Sequence, residues 1–386
     1  MADQEQQRAS IMAMLVAAEA TYGVAPAFDP ALHGLLANSG VTWEPKMDTV
    51  ERKILKPTFS PAGVRVVSAS QTLRVEVEAR GGGLDVSGAP KAPDWEPLAL
   101  ACGLQKTACH RLTVGDATGY EIGETITGAT SGATATLHHI DGDVLVVTGV
   151  TGSWTPTAEN VTGSESAAAS PLTGVVQAIE YRPVTANSAA QKSCAIRFHK
   201  DAILHQLVGA RGNMNLSAKN KEIPSIQFDF SGLWVDPADA NLPTPTLTDL
   251  KPPVFLNAGA RIGEYIPVFD AFSLNLNNKV EARPSANAAD GMAGFLITGR
   301  RPSGSMNPEA DSLANRPIWA TLRSGATADY SCNIGSEAGN RLRVQVPAAQ
   351  LEGVKYSERV NIVCYDESFV CKEHRVGDDE CRLYVF

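Results

Sequence analysis

Period-two alternation is the feature of this sequence that most constrains its fold. In "GARGNMNLSAKNKEIPSIQFDFSGLW" (209–234), Ile226, Phe228 and Phe230 interleave with Gln227, Asp229 and Ser231. Successive side chains on a strand point to opposite faces, so such a run buries one face and wets the other. The segment Lys219-Asn220-Lys221-Glu222 separates two such runs and reads as the polar tip of a hairpin. The same period recurs in "TLRVEVEA" (72–79), "FSLNLNN" (272–278), "RLRVQVP" (341–347) and "RVNIVCYD" (359–366). Turn residues punctuate these runs, among them Gly81-Gly82-Gly83 and Asn277-Asn278. Helical patterns are confined to residues 4–20 and "WEPLALAC" (95–102). The expected fold is therefore mainly β, led by a short N-terminal helix and arm.

A length of 386 residues suits about two or three domains. A formal net charge of −9 argues against a surface that grips nucleic acid, because phosphate recognition needs a concentrated basic field. No run reaches the ~18 to 20 apolar residues of a membrane helix. "IMAMLVAA" (11–18) lies between acidic Asp3, Glu5 and Glu19 rather than behind the basic region of a signal peptide. A soluble, non-exported product is expected. Seven cysteines (102, 109, 194, 332, 364, 371 and 381) contain no CxxC pair, so buried thiols are expected rather than a zinc site.

The order of elements repeats. "VTWEPKMDTVER" (41–52) is echoed by "FSLNLNNKVEAR" (272–283), Glu78-Ala79 by Glu309-Ala310, and Trp95 by Trp319. Each series ends in a long two-strand unit, at 213–230 and 341–366. A Pro-rich stretch, 235–253, separates the copies and reads as a linker. Residues 113–172 are rich in Gly, Thr, Ser and Ala and read as a small β module inserted in a loop, with "IGETITG" (122–128) loosely repeated by "TAENVTG" (157–163). The expected organisation is an arm (1–40), a first domain (41–112 plus 173–234) holding the insert, the linker, and a second domain (254–386).

Chemistry-bearing patterns are scarce. There is no nucleophile elbow, zincin motif or phosphate loop. His138-His139 are neighbours on a strand, so one should face the core and the other solvent. Cys109-His110 lacks an orienting third group. His199 and His205 flank "KDAILH" and read as solvated residues beside a hairpin turn; "DGD" (141–143) and "GDDE" (377–380) read as solvated β-turns. Four tryptophans suit core positions, whereas Trp154, between Gly152 and Pro156, is the candidate for stacking on a glycan.

"EATYGVAPAF" (19–28), "DTVERKILKP" (48–57), "RVEVEARGGG" (74–83), the stretch 209–237 and "LITGRRPSGSMNPEA" (296–310) together resemble the major tail tube proteins of long-tailed bacteriophages. The resemblance covers most of the chain except 113–172. It implies duplicated β-sandwich or partial-barrel domains, no catalytic residue, no cofactor and no metal. It also implies a virion tail component, made in the host cytoplasm, whose long inner strands join copies of itself into a closed barrel around a channel. Trimeric, pseudo-hexameric rings are favoured over hexamers, stacked to conduct DNA, with a tape-measure protein in the lumen. Tail terminator and distal tail proteins would meet the ends, and no membrane is involved. The ribbon strands expected to mediate assembly hold Leu73, Val75, Val77, Asn213, Asn215, Lys219 and Lys221, with Gln227, Asp229, Arg341, Arg343 and Gln345. The insert is expected on the outer surface, with a tail-tip adhesin recognising glycans through it as the alternative function.

Overall fold

Alternating runs become strands throughout the chain, whose computed structural model describes residues 11–185 and 191–386. In chain order these are β1 (Met12–Ala18), β2 (Thr42–Glu51) and β3 (Val64–Glu78), then helix α1 (Glu96–Ala101) and β4 (Leu104–Val114). Residues of the insert add β5 (Thr125–Gly128), β6 (Thr134–Asp141), β7 (Val144–Thr151) and β8 (Asn160–Gly163). There follow β9 (Ala169–Pro183), β10 (Cys194–Lys200), β11 (Ile203–Lys219), β12 (Ser225–Leu233) and the short β13 (Ala238–Asp239). The remainder comprises β14 (Arg261–Ile262), β15 (Ala271–Asn275), β16 (Asn278–Pro284), β17 (Met292–Arg300) and β18 (Ser303–Met306). Helix α2 (Ile318–Ser324), β19 (Thr327–Ile334), β20 (Leu342–Arg359), β21 (Ile362–Cys371) and β22 (Arg382–Val385) complete it. The protein is mainly β, and the ladders are antiparallel.

Hydrogen bonding lays eight strands side by side in the order β2–β3–β12–β11–β15–β18–β21–β20. We call this the wall. A second layer runs β14–β19–β20–β22–β9–β4–β7–β6, sharing β20, whose first half turns into it. The first half of β11 likewise leaves the wall to pair with β10, which in turn holds β1. Between the layers lies one apolar core. It takes Leu73, Val75, Val77, Leu216, Phe228 and Phe230 from the wall, and Ile179, Val344 and Leu383 from the layer behind.

The helix expected at 95–102 is present, with Trp95 fully buried and its indole N–H donating to the Arg80 carbonyl at 2.9 Å. The N-terminal helix is not. Residues 1–10 lie outside the described residues, and Met12–Ala18 is a strand. Met14 to Ala17 are buried consecutively, so both faces of this segment are covered. A short apolar run of that kind fits a buried strand as well as a helix, and pairing with the edge of β10 decides it. "RVNIVCYD" also departs from its reading as one strand: Arg359 faces Ile362 across a two-residue turn. Val360 and Asn361 have φ of 50° and 62°, the signature of a type I′ turn. No helix among the described residues is long and apolar enough to cross a membrane.

The triple glycine is a seam rather than a simple turn. A Cβ on Gly81 would sit 2.1 Å from the Gly339 carbonyl oxygen, and one on Gly82 would sit 2.3 Å from that of Ala92. Gly83 N–H donates to the Gly339 carbonyl at 3.0 Å and Gly81 N–H to Asn340 Oδ1 at 2.9 Å, tying the end of β3 to the loop before β20.

Candidate assembly surface

The wall has two unlike faces because its inner strands β3, β12, β11 and β15 keep the period-two pattern. One face is the core. The other carries Thr42, Glu44, Arg74, Glu76, Gln227, Asp229, Asn213, Asn215, Ser273, Ser305, Ser368 and Lys355, none of them buried. Acidic and basic side chains alternate on it, and Arg74 Nε donates to Asp229 Oδ1 at 2.5 Å. At the middle of the wall β11 meets β15, with Leu216 opposite Leu274 on the core face and Asn215 opposite Asn275 on the polar face. Asn213 Nδ2 donates to Asn275 Oδ1 at 2.7 Å there.

Among the described residues, both ends of the wall are open. Within the chain β2 pairs with β3 on one side, and the last third of β20 pairs with β21 on one side. Unpaired backbone edges attract further strands. Apolar exposure concentrates beside them: Met47, Val50, Val64, Val66 and Val67 on the arm formed by β2 and β3, with Leu55 and Phe59 fully exposed at its tip. At the other end Tyr356, Val360, Ile362 and Val363 are exposed.

The sequence-predicted residues divide three ways. Asn213, Asn215, Gln227 and Asp229 lie on the polar face, and Lys219 and Lys221 at the tip of the β11–β12 hairpin, where Lys219 Nζ donates to Glu222 Oε1 at 2.7 Å. Leu73, Val75 and Val77 are wholly buried in the core beneath the wall. Arg343 and Gln345 lie in the half of β20 that leaves the wall, with Arg341 just before it, and join a buried polar network under the insert. Alternation alone does not disclose that the first half of β20 is covered on both sides.

That network overturns the solvated reading of "DGD". Asp141 accepts from Arg343 Nε and Nη2, both at 2.6 Å, and from Arg111 Nη2 at 2.7 Å. Burial raises its carboxyl pKa, but the two guanidiniums more than offset this and hold it at about 2. His139 is buried against Gln345 at 3.0 Å, and Gln345 Nε2 donates to Asp329 Oδ2 at 2.8 Å. Burial lifts the Asp329 carboxyl to about 6. His138, half-buried on the opposite face of the strand, lies 3.0 Å from Glu180, which also pairs with buried Arg382. In "GDDE", Asp378 and Glu380 bind Arg300 and Asp379 accepts the backbone N–H groups of 374 and 375. His199 is buried, and His205 stacks on Trp43 at 4.0 Å between centroids.

The insert has its own core of Leu112, Leu137, Leu145, Val161 and Leu172. Trp154 belongs to it, only 8% exposed, and offers no ring face to a glycan. The repeated heptads occupy equivalent positions. Glu124 accepts from the backbone N–H groups of Glu165 and Ser166, while Glu159 accepts from those of Thr130 and Ser131, each carboxylate closing the other copy's turn. Burial opposes ionisation of Glu159, but these donors hold its pKa at about 2.

All seven cysteines are free and buried. Among the described residues no group of three His, Cys, Asp or Glu side chains is placed to hold a metal. The arrangement has the means of joining polypeptide edges and a polar surface beside them: it is that of a structural β protein. The family described as phage tail tube protein matches residues 10–358, and the chain belongs to that family. It is a structural component of a phage tail. No curated protein matches the chain.

Proposed function

We propose that the chain assembles with copies of itself into stacked rings that form the tail tube and conduct DNA during ejection. The observation that carries this reading is the wall: a sheet with one buried face, one polar face and both edges open. Closing such sheets edge to edge removes every free edge and encloses a channel lined by the polar face. Its interspersed charges suit passage of DNA, because they present no continuous basic field from which counterion release could draw affinity.

The wall also supports the duplication. In both β2–β3–β12–β11 and β15–β18–β21–β20 the chain lays down its first, second, fourth and third strands in that spatial order. Two such units per chain favour a trimeric ring with pseudo-sixfold symmetry, with a hexamer second. The boundaries stay as the sequence suggests, with domains at 41–112 plus 173–234 and at 254–386. The insert at 113–172 joins the layer behind the wall, which supports a position on the outside of the tube. Tape-measure protein and DNA would occupy the channel without specific binding, and terminator and distal tail proteins would meet the end rings.

Electron microscopy of the purified protein in negative stain tests this. Stacked rings with threefold or sixfold averages are expected. Monodisperse single chains at high concentration would remove the proposal.

A further inference from the structure

The seam between β11 and β15 is a template for the contact between chains. We infer that the open edge of β20 pairs antiparallel with the open edge of β2 in a second copy, in the register the seam already shows. This rests on the self-assembly proposed above and goes beyond it by fixing which residues meet.

Hydrogen-bond registers match the two units position by position. Glu78 stands opposite Ser225, and Glu309 opposite Cys364. Working outward along the ladders, Thr42 then matches Ser273 and Trp43 matches Leu274. On the other side Asn215 matches Lys355, Leu216 matches Tyr356 and Ser217 matches Ser357. In the seam, Asn215 faces Asn275, Leu216 faces Leu274 and Ser217 faces Ser273. Carried over to two chains, that register sets Lys355 against Glu44, Tyr356 against Trp43 and Ser357 against Thr42.

The chemistry of these pairs is complementary. Lys355 and Glu44 are exposed on the polar face with opposite charge. Tyr356 is 65% exposed beside Trp319 and Tyr365, and Trp43 lies half-buried on the core face beside His205. Directly opposed aromatic and opposite-charge pairs stabilise antiparallel sheets. A slip of one residue would turn the core-facing aromatics toward the polar face, so the register is strongly specified.

The arms tell the same story. Phe295 of β17 is 7% exposed because it lies on the first unit, its N–H donating to the Tyr22 hydroxyl at 2.7 Å. Ala282 faces Phe295 across the second arm and Glu51 faces Val64 across the first, so Val64 is the matching position, and it is 68% exposed. The second arm is covered by the unit beside it; the first lacks that cover until another chain supplies it.

The test is site-directed cross-linking of the full-length protein. Glu44→Cys combined with Lys355→Cys should form interchain disulfides under mild oxidant, giving a covalent ladder that ends at the ring number. Glu44→Cys with Ser357→Cys, two positions out of register, should not link. Lys355→Glu should raise the concentration needed for assembly roughly fivefold, and adding Glu44→Lys should restore it. Tubes that form normally but link at 44–357, or show no rescue by the charge swap, would overturn the register while leaving the tube intact. Failure of the wild-type chain to form rings removes the proposed function, and this contact with it.

Discussion

The wall and the insert are both antiparallel β structure, yet they end their strands in opposite ways. The wall finishes in open backbone edges and exposed apolar side chains, from Val64 at one end to Tyr356 at the other. The insert closes on itself: Glu124 and Glu159 each satisfy the turn donors of the other half, and Trp154 packs inward. A sheet meant to continue into a neighbour leaves its edges unsatisfied, whereas a module meant to stand in solvent satisfies them internally. The difference is the one expected between the proposed assembling element and a decorating module, without reference to any catalytic group.

The sharpest way to break this comparison is to remove the wall's core and see whether the insert survives. Phe228 is fully buried beside Phe230. Removing a buried Phe costs about 3–5 kcal/mol, and burying an unpaired carboxylate adds to that, against a total stability of order 5–15 kcal/mol. Phe228→Asp is expected to abolish folding of the wall. If the insert's own core suffices, limited proteolysis of that variant will leave a protected fragment spanning about residues 113–172.

A smaller effect comes from the joint between the two regions. Asp141→Asn leaves Arg343 and Arg111 buried without a counter-charge, and breaking a buried pair costs about 3–5 kcal/mol. Urea denaturation should show that loss. Adding Arg343→Met should recover much of it, because an apolar replacement no longer needs a partner. The same logic says that excising the insert strands these arginines, so a clean deletion needs them neutralised as well.

The smallest effect, and the one that separates the regions most finely, is acid. Glu159 and Asp141 have folded-state pKa values held at about 2, below the ordinary carboxylate range. Groups depressed in this way contribute stability above their unfolded pKa of about 4, and lose it as the pH falls toward 2. The insert and its joint should therefore loosen between about pH 4 and pH 2, ahead of the wall's apolar core. Near-ultraviolet circular dichroism from Trp154 would report it, and Glu159→Gln should move the transition to higher pH. Loss of the wall first would contradict the comparison.

Much of the wall was legible because alternation records burial directly. Ile226, Phe228 and Phe230 on one side, with Gln227 and Asp229 on the other, left little choice of face or register. The echo between "IGETITG" and "TAENVTG" likewise marked equivalent places around Glu124 and Glu159. What stayed hidden depends on partners distant in sequence. Nothing local says that Asp141 will meet Arg343, which turns an ordinary "DGD" hairpin into a buried ion pair. Nor does Met12–Ala18 disclose that β10 offers it an edge. Val360-Asn361 sits within a run of alternating residues, so its left-handed turn is masked by its own neighbours. The assembly residues were hardest, because the outer edges of a sheet differ from its middle only in what lies beyond the chain.

The seven buried thiols have a consequence for how such a particle can be built. With no cysteine at either open edge, the proposed joins between copies would not be locked by disulfides. In the proposed tube, a copy seated wrongly could therefore leave before the next arrived, and errors would anneal out while the filament grew. Strength would then come from repetition along the finished tube, where detaching one copy would mean breaking all its contacts together.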